Sequence, residues 1–196
     1  MRRTIIYLIG LPAVGKHTIA TAIAARTGAR VIDNQLINVP VFTAVGFDGT
    51  DAFPFPKGAW DKIERIREAV LDTIREDCAP EDCFVFTNVL DADDPPSVAL
   101  FETIEALALD RGGTFVPIWL EASEAVMRQR IDTPQRRERR KTTDASSIDR
   151  WRNSFRLLEI DHPNAFRLDT SDLTPEQAAD AILKHVNESG RGRMPS

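Results

Sequence analysis

An α/β fold with a parallel sheet covered by helices on both faces is predicted for this chain. Three observations carry the prediction. Strand-like and helix-like segments alternate almost throughout. The first segment, Thr4 to Ile9, is continuously apolar and β-branched, as a strand buried on both faces must be. It runs straight into GLPAVGKHT, Gly10 to Thr18, a glycine-bearing turn that opens a helix.

The elements follow in order. Gly15 to about Thr27 reads as a helix, with Ile19 and Ile23 on one face and Gly28 as its stop. Arg30 to Ile32 is a short second strand ending at Asp33. From Asn34 to Ala59 the periodicity is poor, and the Gly, Pro and Asp of residues 46–58 predict a loop. Loops of that length in compact domains are lids or substrate loops. Trp60 to about Glu76 is a helix, with Ile63, Ile66, Val70 and Ile74 in phase.

Cys83 to Val89 is a third strand. Ser97 to Arg111 is a helix closed by Gly112 and Gly113. Thr114 to Leu120 is a fourth strand, and Ser123 caps a short helix through Ile131. The basic stretch TPQRRERRK spans Thr133 to Lys141. Asp144 then starts a helix carrying Ile148, Trp151, Phe155 and Leu158 on one side. Ala165 to Leu168 is a fifth strand. Thr174-Pro175-Glu176-Gln177 is a helix start with N-cap, first-turn proline and a glutamine at N3. One domain is expected over residues 1–188, followed by a disordered tail over 189–196.

Composition narrows the function. The chain has 196 residues and a net charge of −5, which argues against nucleic acid or an anionic membrane as the default partner. No apolar run approaches the ~18 residues of a membrane span. The basic start and short apolar run of residues 1–9 read as a buried strand rather than a leader. Cys78 and Cys83 have neither the spacing nor the companions of a zinc site or a disulfide framework, so both are expected as reduced thiols of a cytoplasmic protein.

The frame G-x-x-x-x-G-K from Gly10 to Lys16 is that of a phosphate-binding loop. Backbone N–H groups of such a loop converge at a helix N-terminus, where the helix dipole also favours anions. Gly10, Ala13, Val14, Gly15, Lys16, His17 and Thr18 are therefore the expected nucleotide-binding residues. The residue after the lysine is usually a hydroxyl that holds Mg²⁺; here it is His17, and the hydroxyl follows at Thr18. His17 reads as a surface residue beside the loop.

With this loop, the chain resembles the small P-loop kinases, the adenylate kinase and shikimate kinase groups of the P-loop NTPase superfamily. The adenylate kinases also place a threonine two positions after the lysine. The resemblance implies a three-layer fold with five parallel strands in the order 2-3-1-4-5, an acceptor-binding region over residues 34–79 and a lid over residues 132–144. It implies ATP as donor, Mg²⁺ as cofactor and a small-molecule acceptor, in a monomer or homodimer.

The resemblance also suggests roles. Asp33, at the tip of the second strand, matches the carboxylate that shikimate kinases place near the transferred phosphoryl group. It would orient the acceptor hydroxyl as general base or hold a metal-bound water. The alternative is an Asx turn or a helix cap after the strand. The shikimate kinase pattern D-x-D is here Asp33-Asn34-Gln35, so the likeness does not extend to shikimate as acceptor. Asn34, Gln35 and Asn88 are expected substrate contacts, and Asn34, Gln35 and Asn38 suit a polyhydroxylated or amide-bearing acceptor. Asp91 stands as a Walker-B-like metal ligand beside Asp33. Arg136 and Arg137 of the lid would stabilise the transferring phosphoryl group, and Arg130 would stack on the adenine. A solvated basic stretch is the alternative reading of RRERRK.

The expected function is ATP-dependent phosphorylation of a hydroxyl on a small molecule. A nucleoside or nucleotide kinase, and a nucleotide-binding switch or RNA-end-binding module with little turnover, are the alternatives.

Overall fold

The computed structural model describes residues 1–50 and 53–191. Its elements in chain order are β1 (Thr4–Ile9), α1 (Lys16–Thr27), β2 (Arg30–Asp33), α2 (Asn34–Ala44), α3 (Ala59–Glu76), β3 (Phe84–Asn88), α4 (Pro95–Asp110), β4 (Thr114–Glu121), α5 (Glu124–Arg130), α6 (Pro134–Glu138), α7 (Ser146–Ser154), β5 (Phe166–Asp169) and α8 (Pro175–Arg191). The five strands form one parallel sheet in the order β2-β3-β1-β4-β5.

β1 is central because both of its faces are apolar. Side chains alternate across a strand, so Ile6 and Leu8 enter one layer and Ile5, Tyr7 and Ile9 the other. Under the first face lie Ile19 and Ile23 of α1 with Ala178, Ile182 and Val186 of α8. Under the second lie Leu71 and Ile74 of α3 with Phe101, Ile104 and Leu107 of α4. The sheet's carboxyl edge thus faces α1, α2 and the segments after β3 and β4. That edge is where open α/β sheets bind ligands.

Gly10 makes the turn after β1 possible. A Cβ there would overlap the Leu120 carbonyl oxygen of β4. Gly10→Ala is expected to lower the unfolding free energy by about 1–3 kcal/mol, the usual cost of overpacking. A urea midpoint equal to that of the wild type would show that the loop can retreat from β4.

The poor periodicity after Asp33 conceals α2, while the described residues of the loop expected over 46–58 carry no helix or strand. Pro40 and an amide-rich start hide this helix, whose Ile37, Val41 and Phe42 are buried against Ala59 and Ile63 of α3. Asp33 caps it, its Oδ1 accepting from the Gln35 N–H at 3.3 Å. The helix expected from Asp144 is shorter than its apolar phase. It ends at Ser154, and the chain then runs extended. An antiparallel bridge from Leu157 to Asp91 carries Leu158 into the second core layer. At the start of α8, Thr174 and Gln177 form the reciprocal cap that the sequence predicts. α8 continues to Arg191, three residues into the stretch expected as tail; residues 192–196 lie outside the described residues.

Cys78 and Cys83 are free thiols. Among the described residues, no helix is long and apolar enough to cross a membrane.

Candidate active site

At the carboxyl edge of the sheet lies a cavity of about 980 Å³. The loop after β1 forms its floor. Ala13 (φ 68°) and Gly15 (φ 96°) both take left-handed backbone angles. Such residues turn neighbouring amides toward one concavity. α1 begins at Lys16 with no side-chain cap on its first turn, so its orphan N–H groups face the loop's mouth. Lys16 Nζ folds back onto that loop, donating to the carbonyls of Gly10 (2.5 Å) and Leu11 (2.8 Å). Its pKa lies well below the lysine value. Burial lowers it most, the charges of Lys141 and Arg136 lower it further, and Asp33 only partly offsets them.

Asp33 is the hub of the site. β2 pairs with β3 so that Asp33 lies beside Thr87, whose hydroxyl donates to Oδ1 at 2.7 Å. Oδ2 meets Arg139 Nη2 at 2.7 Å, Lys141 Nζ at 3.4 Å and His17 Nδ1 at 3.2 Å. Arg139 Nη1 also lies 2.6 Å from His17 Nε2. A guanidinium can only donate, so Nε2 accepts, and Nδ1 on the other side of the ring faces Asp33. His17 is therefore part of the site and not the bystander its position in the sequence suggests.

Burial pushes the Asp33 carboxyl up. The contact with His17, the charge of Lys141 and the Thr87 hydroxyl outweigh it, and the net pKa falls well below the carboxylate range. A depressed acid contributes stability that is complete above its unfolded pKa of about 3.9 and is lost as the pH falls below it. The stability gap between wild type and Asp33→Asn is thus expected to hold from pH 7 to 5 and to shrink at pH 3. A gap unchanged at pH 3 in urea titrations would contradict an ionised hub.

The basic segment reaches this hub through its backbone. Thr133 caps the single turn of α6, and Arg140 (φ 48°) then bends the chain. Arg139 and Lys141 both turn onto Asp33. Arg136 is held by the Thr142 carbonyl at 2.7 Å, and burial pushes its pKa down to about 10. The Nε–H groups of Arg136 and Arg139 are buried without a partner among the described residues. Arg137 faces away: it pairs with Asp132 and its side chain is 66% exposed. Of the two lid arginines expected to act, the structure brings only Arg136 into the cavity. Arg139 and Lys141 take the place foreseen for Arg137.

The remaining expected residues separate in the same way. Gly15, Ala13, Thr18, Asn34, Gln35, Asn88 and Arg130 line the cavity. Val14 is buried behind it, its carbonyl accepting from the Thr170 hydroxyl at 2.9 Å. Arg130 donates to Thr170 Oγ1 (3.2 Å) and to its carbonyl (3.0 Å), which ties it to the turn after β5. The Asn88 carbonyl accepts from Gly10 N–H at 3.3 Å. Asp91 is not a cavity residue; its carboxylate accepts from the Asp93 N–H in the turn beyond β3.

The donor set suits a polyphosphate. Among the described residues, Lys16, Arg130, Arg136, Arg139, Arg140, Lys141 and Arg150 line the cavity against a single carboxylate, Asp33. Two buried N–H donors without partners stand among them. Among the described residues the side chains alone build no divalent-ion site. Asp33 is already engaged by cations, Asp91 lies elsewhere, and no group of three metal-type side chains occurs among the described residues.

Sequence reasoning also missed the wall opposite the loop, made by Phe42, Phe47, Phe55 and Trp60. The signal was present: phenylalanines recur through a stretch otherwise rich in Gly, Pro and Asp.

No family model and no curated protein matches the chain. Solved structures do match it. A candidate kinase of Chloroflexus aurantiacus J-10-fl is 18% identical, with a TM-score of 0.65 over 94% of this chain and 97% of that one. A gluconokinase from Sinorhizobium meliloti 1021 is 14% identical, with a TM-score of 0.59 over 98% of each chain. A shikimate kinase from Acinetobacter baumannii, in complex with shikimate, is 15% identical, with a TM-score of 0.51 over 94% and 93%. The chain has the fold of the P-loop small-molecule kinases, with the strand order that the resemblance implied.

Proposed function

We propose that the chain is an ATP-dependent phosphotransferase that moves the γ-phosphoryl group to a hydroxyl of a small molecule. The observation that carries this reading is the meeting of a phosphate-binding loop and a buried, ionised carboxylate in one strongly cationic cavity. On this reading the loop amides and Lys16 hold the β- and γ-phosphates, and Arg136 and Arg139 meet the charge that spreads over the transferring group. Mg²⁺ enters only as the counter-ion of the nucleotide.

The acceptor oxygen bonds to the γ-phosphorus as the bond from that phosphorus to the ADP oxygen breaks. ADP leaves with the electron pair. The acceptor's proton passes to Asp33 and then to water. A carboxylate with so low a pKa is a weak base. Phosphoryl transfer asks little of one, because the proton is lost late and positioning contributes most. Asp33 must exchange Arg139 and Lys141 for the acceptor hydroxyl, and the incoming phosphates offer those cations a replacement.

The test is ADP production from Mg-ATP with pooled small alcohols, using the Lys16→Ala protein as blank. Acceptor-dependent ADP above that blank supports the enzyme. ATP binding without turnover favours a nucleotide-operated switch, a reading that draws on the engagement of Asp33 by lid cations. The compartment proposed is the cytoplasm, in keeping with the free thiols.

A further inference from the structure

We infer that the acceptor is an alcohol carried on a flat aromatic ring, and not a polyol; this rests on the kinase reading of the same cavity. Two independent features of the acceptor end lead there.

The first is the wall. Phe42 and Phe47 are nearly buried, with ring centroids 4.8 Å apart. Phe55 stands 5.2 Å from Phe42 and 5.2 Å from Trp60. Trp60 is 55% exposed, whereas Phe42 beside it is 6% exposed. The ring set therefore ends on an indole surface at the cavity with no aromatic partner beyond it. Aromatic pairs favour offset or edge contacts at such spacings, and a planar ligand ring would extend the set by one.

The second is the fate of the polar groups that a polyol would need. Asn34 Oδ1 accepts from Arg67 Nη2 at 3.1 Å. Gln35 Nε2 donates to the Arg140 carbonyl at 3.0 Å, and Arg140 Nη1 donates to the Phe47 carbonyl at 3.0 Å. Asn38 is buried in α2 and does not line the cavity. Asn34 and Gln35 thus join α2 to α3 and to the basic segment. A polyol seated against the rings would find these two amide atoms already engaged, and a hydroxyl turned onto phenyl surface without a partner is costly. One hydroxyl is provided for, at Asp33. Simple arylmethanols have this chemistry; nucleosides share the flat ring but carry further hydroxyls on the sugar.

The experiment uses the full chain. ADP release is measured with three acceptor sets at equal concentration: nucleosides, benzyl-type alcohols, and polyols including gluconate and shikimate. In parallel, tryptophan emission is titrated with each set without ATP, with Trp60→Phe as the control that removes this reporter. The expected result is ADP release and saturable quenching with one or both ring alcohols, the quenching being lost in Trp60→Phe. Nucleosides alone would identify a nucleoside-type ligand; benzyl alcohols as well would identify the ring itself as the determinant. Trp60→Ala is expected to raise the acceptor KM about threefold to tenfold, with the ATP KM unmoved. Turnover of polyols without ring alcohols overturns the inference and leaves the kinase standing. If no acceptor yields ADP, the kinase reading fails, and the emission titration alone decides the ring site: Trp60-dependent quenching by ring alcohols supports it, and its absence overturns it.

Discussion

Lys16→Ala is expected to weaken ATP binding by about 100-fold or more without unfolding the protein. A lysine that reaches two phosphates makes charge-assisted hydrogen bonds of about 1.5–3 kcal/mol each, and alanine replaces neither. The effect on the fold has the opposite sign from most buried-charge deletions. Lys16 is buried among cations, and its pKa is depressed by burial and by Lys141 and Arg136. Among the described residues its hydrogen-bond partners are two carbonyls of its own loop, and Asp33 offsets the repulsion only in part. Removing it relieves repulsion, so the thermal midpoint of the variant should equal or exceed that of the wild type. Titration calorimetry with ATP and a melting curve test both halves. Unchanged ATP affinity would defeat the phosphate-loop reading; a collapsed midpoint would mean that the lysine holds the loop together.

Asp33→Asn is expected to separate binding from chemistry. Transfer should fall by about 10²–10⁴-fold, the range associated with a positioned acid or base. ATP should bind at least as tightly as before, because the variant leaves Arg139 and Lys141 without their carboxylate. Phosphate oxygens are then their best partners. Apo stability should drop by about 3 kcal/mol, toward the low end for breaking a buried ion pair, since Arg139 and Lys141 keep 28% and 20% of their side-chain surface exposed. Saturating ATP should recover part of that loss, giving a larger ligand-induced rise in melting temperature than in the wild type. A variant with full turnover would return Asp33 to the role of helix cap for α2.

The two substitutions sample parts of the site that differ in how far the sequence disclosed them. The loop was legible because its geometry is local: Gly10, Ala13, Gly15 and Lys16 lie within one turn of chain. Asp33 was legible as a strand tip, with two roles open; the structure shows the cap on α2, together with ion pairs to Arg139 and Lys141 that the sequence did not disclose. The basic segment was legible only as a group. Six adjacent residues hold five cations, and nothing in their order says that Arg137 turns outward to Asp132 while Arg139 and Lys141 turn inward. The positive φ of Arg140 accompanies that bend, and arginine gives no warning of it.

What the sequence by itself determined is the layered sheet, its strands and the glycine-bearing turn after β1, since hydrophobic period and glycine placement act over a few residues. Tertiary structure alone decided the electrostatic hub, the helix hidden after Asp33 and the aromatic wall. Arg139 reaches Asp33 across 106 residues of chain, and His17 reaches Arg139 across 122. Such meetings depend on how β2 pairs with β3, how α2 packs on α3 and where the lid turns. Those are properties of the folded whole, because charges and rings acquire their energies from neighbours that the chain brings together only when it closes.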